Sequence, residues 1–164
     1  MPIDRTGSAL VTLPSDTEIL ITRQFDAPAA LLFEVWTNPD HIRNWWGWER
    51  DEMTVCEFDL RVGGKWRFAA RHPVHGEFAF SGECLEIDRP HLLVATETYE
   101  AYPDSRAVNT LTLEEEDGMT TMTIHVQHET KQARDARIGS GMEGGLQNSL
   151  DRIDRVIAAE RESV

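Results

Sequence analysis

The chain has 164 residues, 40% of them hydrophobic, and its 29 acidic and 16 basic residues give a formal net charge of −13. This length suits one domain with its own core, whereas the acidic excess argues against binding to nucleic acids or anionic membranes, which attract clustered lysine and arginine. No run approaches the roughly 20 apolar residues that span a bilayer, and the N-terminus lacks the pattern of a signal peptide, so we expect a cytoplasmic protein.

The first third of the chain is predicted to contain one strand and two short helices. Residues 1–16 lack a clear hydrophobic period and are predicted to form a loosely held N-terminal arm, whereas residues 17–164 are predicted to form a single domain. The run T-E-I-L-I-T-R-Q-F, from Thr17, is rich in β-branched residues and indicates a strand. A short helix is predicted after Pro28, and a second one, P-D-H-I-R-N-W-W, ends at Gly47.

The middle of the chain, from about residue 51 to residue 129, alternates between strand-like runs and turn residues. We count six such runs, and Asp117-Gly118 between the last two is a strong hairpin signal. Short links between consecutive strands are typical of an antiparallel meander. Together with the strand at Thr17, this predicts seven strands.

The last third of the chain has the period of a long amphipathic helix. The face opposite its apolar stripe carries Asp151, Asp154, Arg155 and Arg161. Its apolar stripe, with spacings of three and four, consists of Met142, Leu146, Leu150, Ile153 and Ile157. Because this stripe needs a large apolar partner, we predict an α+β fold in which a seven-stranded curved antiparallel sheet wraps around the C-terminal helix.

Five sequence motifs, in this order, carry a resemblance to a known superfamily. They are F-D-A-P-A at 25–29, N-P-D-H-I-R-N-W-W-G at 38–47, D-L-R-V-G-G-K-W-R-F at 59–68, F-S-G-E-C-L-E-I-D-R-P at 80–90 and G-G-L-Q-N-S-L-D-R-I at 144–153. Together with the order of elements, they resemble the START-like (SRPBCC, helix-grip) superfamily, and most closely the bacterial proteins related to the C-terminal domain of the Hsp90 ATPase activator.

This resemblance implies a cavity between the sheet and the long helix that holds a hydrophobic small molecule. Strand alternation and the helix stripe then predict the ligand-binding residues, which are Trp36, Trp46, Trp66, Phe68, Phe78, Phe80, Met142 and Leu146. The ligand is expected to be apolar or aromatic, and neutral or cationic given the net charge. Two positions depart from the family pattern, with Trp48 in place of a proline and Leu146 in place of an aromatic residue, so the family's ligand preference does not carry over.

The segment N-W-W-G-W-E at 44–49 holds three of the five tryptophans and allows two interpretations. Trp45 and Trp46 either fill the end of the core or form the entrance of a pocket with Gly47 as its hinge. Adjacent residues of a helix point about 100° apart. We therefore expect one of the two rings to pack in the core and the other to gate the cavity.

Two alternative functions remain beside small-molecule binding. A cyclase- or hydrolase-like enzyme would need a general base, and Glu97 is the candidate if its strand face, shared with Leu93 and Ala95, lines the cavity. We favour the outer face and a solvated Glu97, because charged side chains are rarely buried without a partner. The other alternative is an interaction module for an Hsp90-type chaperone. A homodimer with Trp48 at the contact is also compatible with the sequence.

No cofactor or metal is predicted. The stretch G-S-G-M-E-G at 139–144 matches a dinucleotide-binding pattern but has no strand directly before it. His125 and His128 are three apart on a strand and therefore point to opposite faces, while His72 and His75 flank a turn. The two cysteines, at 56 and 84, have no metal-ligand spacing and are expected to be reduced, buried thiols.

Overall fold

A computed structural model of the protein describes residues 9–47, 51–139 and 142–162. These ranges contain eight strands and four helices. The strands are β1 (Leu10–Thr12), β2 (Glu18–Phe25), β3 (Glu52–Phe58), β4 (Lys65–His72), β5 (Gly76–Asp88), β6 (Leu92–Tyr99), β7 (Ala107–Glu116) and β8 (Met119–His128). The helices are α1 (Ala29–Thr37), α2 (Pro39–Ile42), α3 (Lys131–Gly139) and α4 (Met142–Glu162). None of these helices is long and apolar enough to cross a membrane.

The eight strands form one antiparallel sheet in the order β1-β2-β8-β7-β6-β5-β4-β3. Strands β3 to β8 are the predicted meander, and the predicted α+β architecture with a long C-terminal helix is confirmed. The sheet has eight strands rather than seven. The additional strand, β1, lies within the segment predicted to be a loose arm, where it pairs along the free edge of β2 with Val11 opposite Ile21. Three residues are too short a run to show an alternating pattern in the sequence.

The inner face of the sheet, which we define as the face that packs on α4, holds the core. Alternation along β2 turns Ile19, Ile21 and Phe25 inward. Leu150 and Ile153 of the predicted α4 stripe are completely buried and belong to the same hydrophobic cluster. The apolar period of each element therefore accounts for this contact between sheet and helix.

An ion pair also joins α4 to the sheet. Arg23 faces inward from β2 and is completely buried. One terminal nitrogen, Nη2, lies 2.7 Å from Asp154 Oδ2 and 3.2 Å from Asp151 Oδ1. Asp151 and Asp154 are exposed, as predicted for the polar face of the helix, and they also pair with a buried residue of the sheet.

The β7–β8 hairpin positions α1. Its two turn residues, Asp117 and Gly118, have φ values of 54° and 81°, as a tight primed turn requires. Near this turn, Glu115 Oε1 accepts a hydrogen bond of 2.7 Å from the Ala29 backbone N–H, and Thr120 donates to the Ala27 carbonyl. A carboxylate at this position stabilises the positive end of a helix. The hairpin therefore fixes where α1 begins.

Candidate functional site

The two adjacent tryptophans after α2 point in different directions. Trp45 is 4% exposed, its ring stacks on Trp36 at a centroid distance of 4.8 Å, and its Nε1 donates to the Val35 carbonyl at 2.9 Å. Trp46 turns toward the sheet and remains partly exposed. Trp45 therefore belongs to the core, together with Trp36, while Trp46 faces a second set of aromatic rings.

That second set, the aromatic cluster, lies on the inner face of β4, β5 and β6. It comprises Trp46, Trp66, Phe68, Phe78, Phe80 and Tyr99. The centroid of the Trp46 ring lies 5.5 Å from Phe68, 5.7 Å from Phe78 and 5.9 Å from Phe80. The cluster extends along the strands through the pairs Trp66–Phe68 at 4.9 Å and Phe80–Tyr99 at 5.0 Å. These distances are typical of favourable aromatic pairs.

The period of two in β4 and β5 explains why these rings share one face. Gly82 makes room for the largest of them. A Cβ atom at Gly82 would lie 1.8 Å from the Thr96 carbonyl oxygen and 2.5 Å from Trp66 Nε1. The bare glycine therefore allows the Trp66 indole to cross β5 and donate a 3.1 Å hydrogen bond to the Thr96 carbonyl.

The structure brings together five of the eight predicted ligand-binding residues, Trp46, Trp66, Phe68, Phe78 and Phe80. Leu146 is partly buried against the core, whereas Trp36 stacks on Trp45 outside the aromatic cluster. Met142 begins α4, but its side chain lies outside the described residues, as does Trp48. Tyr99, which was not among the predicted site residues, also belongs to the cluster, since it pairs with Phe80 and lies two residues from Glu97 on the same face.

Helix α4 holds the loop that carries Trp46. Gly47 has φ near +80°, a conformation that favours glycine. Its carbonyl accepts hydrogen bonds from Ser149 Oγ, at 2.9 Å, and from the guanidinium of Arg152. The predicted hinge is thus hydrogen-bonded to the long helix, while the ring of the preceding Trp46 contacts the sheet.

Glu97 marks the polar edge of the aromatic cluster. The preferred interpretation of Glu97 as a solvated residue of the outer face is wrong, because it shares the inner face with the core residues Leu93 and Ala95 and its side chain is 15% exposed. Its Oε1 accepts a 2.7 Å hydrogen bond from Arg137 Nη1 on α3. The Arg137 guanidinium also lies 5.1 Å from the centroid of the Phe80 ring, a cation–π distance.

His128 lies two strands away from Glu97 on the same inner face. Glu97 pairs with Ala107 on β7, and Ala107 pairs with His128 on β8. The side chain of His128 is buried, and neither ring nitrogen has a hydrogen-bond partner in the described part of the chain. Burial, followed by the positive charge of Arg137, lowers the pKa of His128, which keeps the imidazole neutral at neutral pH.

A second inward polar group, Asn109, lies beside His128. Asn109 pairs with Ala95 and Val126, both of which belong to the core. Its Oδ1 is buried and likewise has no partner among the residues described. Neither His128 nor Asn109 was predicted as a site residue, although alternation with Ile124 and Leu111 places both on the inner face.

The other histidines and the cysteines carry no comparable arrangement. His125 points outward, as expected from its spacing, and its Nε2 lies 2.5 Å from Glu18 Oε2. The rings of His72 and His75 stack at 4.6 Å in the β4–β5 turn. Within the described ranges, no three potential ligands come together to hold a metal ion. Both cysteines are free and buried, and burial raises the pKa of each thiol.

The outer face of the sheet has a different character. An open groove of about 630 Å³ runs over β4, β5 and β6. The bidentate ion pair of Arg67 with Glu100 crosses it, with hydrogen bonds of 2.9 Å and 3.0 Å, and Lys65 and Glu83 flank it. These charged groups are solvated better by water than by an apolar molecule. The inner face is therefore the candidate site for an apolar ligand.

Comparison with known proteins agrees with this architecture. Residues 26–158 match the family model described as activator of Hsp90 ATPase homolog 1-like protein. A crystal structure of a protein from Rhodobacter sphaeroides superposes with a TM-score of 0.85 at 25% identity, covering 93% of this chain and 99% of that chain. Protein Ms6760 from Mycobacterium smegmatis gives a TM-score of 0.83 at 25% identity, with coverage of 93% and 99%.

A solution structure of a protein from Arthrobacter aurescens has a TM-score of 0.82 at 24% identity, covering 92% of this chain and 91% of that one. No curated protein matches the chain. The family model spans most of the sequence, including both short helices, the meander and most of α4. The chain therefore belongs to the family of activator of Hsp90 ATPase homolog 1-like proteins, within the START-like superfamily.

Proposed function

We propose that this protein binds a hydrophobic or aromatic small molecule between the inner face of the sheet and α4, in contact with the aromatic cluster. The observation that carries this proposal is the incomplete burial of aromatic rings on an inward face. Trp46, Phe78 and Phe80 are all partly exposed, whereas inward residues elsewhere, such as Ile19 and Leu113, are buried. A flat apolar molecule that covered these rings would remove their exposed area from water.

Burial supplies the main driving force, at about 25 cal/mol for each Å² of apolar surface removed from water. The charged residues at the polar edge of the cluster determine which ligand charge is favoured. Glu97 and Arg137 neutralise each other at 2.7 Å, so this edge offers no uncompensated charge to an ionic ligand. A neutral aromatic molecule fits it best.

Calorimetric titration with naphthalene, a neutral aromatic probe, tests the proposal. We expect saturable binding to the native protein and a large loss of affinity in Trp46→Leu. The matched control is Trp36→Leu, which removes a tryptophan outside the aromatic cluster and should bind naphthalene as the native protein does. Phe78→Leu provides a second variant if Trp46→Leu does not fold. Absence of binding to the native protein, or equal affinity in Trp46→Leu and Trp36→Leu, would refute the proposal.

The family match supports a second candidate, interaction with an Hsp90-type chaperone, since the family is described by activation of the Hsp90 ATPase. Measuring the ATPase rate of a bacterial Hsp90 with increasing amounts of this protein tests it. An unchanged rate would eliminate this candidate. The enzymatic alternative has less support, because the carboxylate it requires as a base, that of Glu97, is paired with Arg137.

A further inference from the structure

Two neighbouring polar groups on the inner face have hydrogen-bonding capacity that the described residues leave unused. His128 pairs with Ala107, which is two residues from Asn109 on β7, and Asn109 pairs with Val126, which is two residues from His128 on β8. The two side chains are thus diagonal neighbours on one face, a relation that brings them within about 7–8 Å. Both ring nitrogens of His128 and Oδ1 of Asn109 are buried without a partner in the described ranges.

These groups adjoin the aromatic cluster through Arg137. Its guanidinium covers Phe80 and binds Glu97, which lies across β7 from His128. Across the inner face, the row that starts at Phe80 and passes Glu97 leads over β7 to His128 and Asn109.

The hydrogen-bond donors and acceptors of the two side chains favour one kind of ligand group. A neutral imidazole offers one N–H donor and one acceptor, whereas Asn109 Oδ1 only accepts. A hydroxyl group complements both, because its proton can be donated to Asn109 Oδ1 while its oxygen accepts from the His128 N–H. A carboxylate could not donate and would face Glu97, and an ammonium group could not accept and would face Arg137.

We infer that the ligand is a neutral aromatic molecule with a hydroxyl group, such as a phenol, and that His128 and Asn109 bind this hydroxyl. The inference rests on the proposed aromatic site and adds its specificity. Unsatisfied buried polar groups are rare in folded proteins. A ligand hydroxyl gives both of them partners at one point.

Equilibrium dialysis with three probes of the same ring system tests the inference. The probes are naphthalene, 2-naphthol and 2-naphthoate. Two added hydrogen bonds should make the native protein bind 2-naphthol about tenfold more tightly than naphthalene. It should bind 2-naphthoate more weakly than 2-naphthol.

Two variants test whether His128 and Asn109 cause the preference for 2-naphthol. In His128→Phe and in Asn109→Leu, one of the two hydrogen bonds is lost, so the preference for 2-naphthol over naphthalene should shrink to about threefold, while naphthalene itself still binds. The matched control is His125→Phe, which removes a histidine of the same strand on the outer face and should keep the full preference. Thermal unfolding verifies that each variant is folded.

The outcomes separate the inference from the proposed function. If naphthalene and 2-naphthol bind the native protein equally, or if the full preference survives in both variants, the hydroxyl site is refuted while the aromatic site stands. If naphthalene and 2-naphthol both fail to bind, the aromatic site and the hydroxyl site are refuted together.

Discussion

At the scale of single residues, Trp45 and Trp46 show how neighbours of one type acquire separate roles. Trp45→Ala removes a buried ring, its stack on Trp36 and its hydrogen bond to Val35. We expect it to lower the free energy of unfolding by about 3–5 kcal/mol, the usual loss for a buried tryptophan. Trp46→Ala should cost clearly less, since its ring is partly exposed. Urea denaturation of both variants measures the difference, and equal losses would contradict this division.

The sequence predicted that these two rings diverge, but not which one enters the core. Divergence follows from local helical geometry alone. The assignment depends on a distant contact, because Ser149 and Arg152 of α4 hold the carbonyl of Gly47 and so set the direction of the loop. No local pattern at 44–49 reports that contact.

Glu97 illustrates the same limit for a charged residue. Alternation correctly grouped it with Leu93 and Ala95, and only the general rarity of buried charges argued for the outer face. Its partner, Arg137, lies 40 residues further along the chain on α3. A buried charge becomes acceptable once it is paired, and the pairing is visible only in three dimensions.

At the scale of elements, the junction between α4 and β2 depends on a buried cation with half-exposed partners. Arg23 is completely buried, whereas the side chains of Asp151 and Asp154 are 54% and 46% exposed. Replacing both aspartates by asparagine leaves an uncompensated buried charge, for which we expect a loss of about 3–5 kcal/mol in unfolding free energy. Replacing Arg23 by methionine should cost less, because water still solvates the two carboxylates.

Urea denaturation of Asp151→Asn/Asp154→Asn and of Arg23→Met checks this order. Arg155→Gln, on the same helix but exposed, serves as the surface control. If Arg23→Met were the more damaging change, packing of the arginine side chain rather than its charge would dominate this junction.

The elements themselves were largely predictable, because periodicity acts locally. Alternation and turn residues gave β3 to β8, and the spacing of three and four gave α4. The strand β1 was not predictable, since it has too few residues to show a period and depends on the free edge of β2. The cap of α1 was not predictable either, because Glu115 on β7 and the Ala29 N–H that it binds are 86 residues apart in the sequence.

At the scale of the whole molecule, stability should depend on pH through His128. Burial, Arg137 and Arg134 lower its pKa from the usual 6.5, and Glu97 opposes them only in part. The unfolded chain lacks these influences, so its imidazole accepts a proton near pH 6.5 while the folded imidazole does not. Below that pH the unfolded state binds more protons, and the free energy of unfolding falls by up to about 1.4 kcal/mol per pH unit for one proton.

His128→Phe should therefore flatten the pH dependence of stability between about pH 7.5 and about pH 5.5. Other groups with a lowered pKa, the carboxyls of Glu18, Glu100 and Asp135, lose their contribution at more acidic pH and are shared by both proteins. The difference between native protein and variant consequently isolates His128. Urea denaturation across this range measures it. Parallel curves would show that the folded protein protonates His128 as readily as the unfolded chain, and hence that the imidazole is not kept neutral by its position between α3 and the sheet.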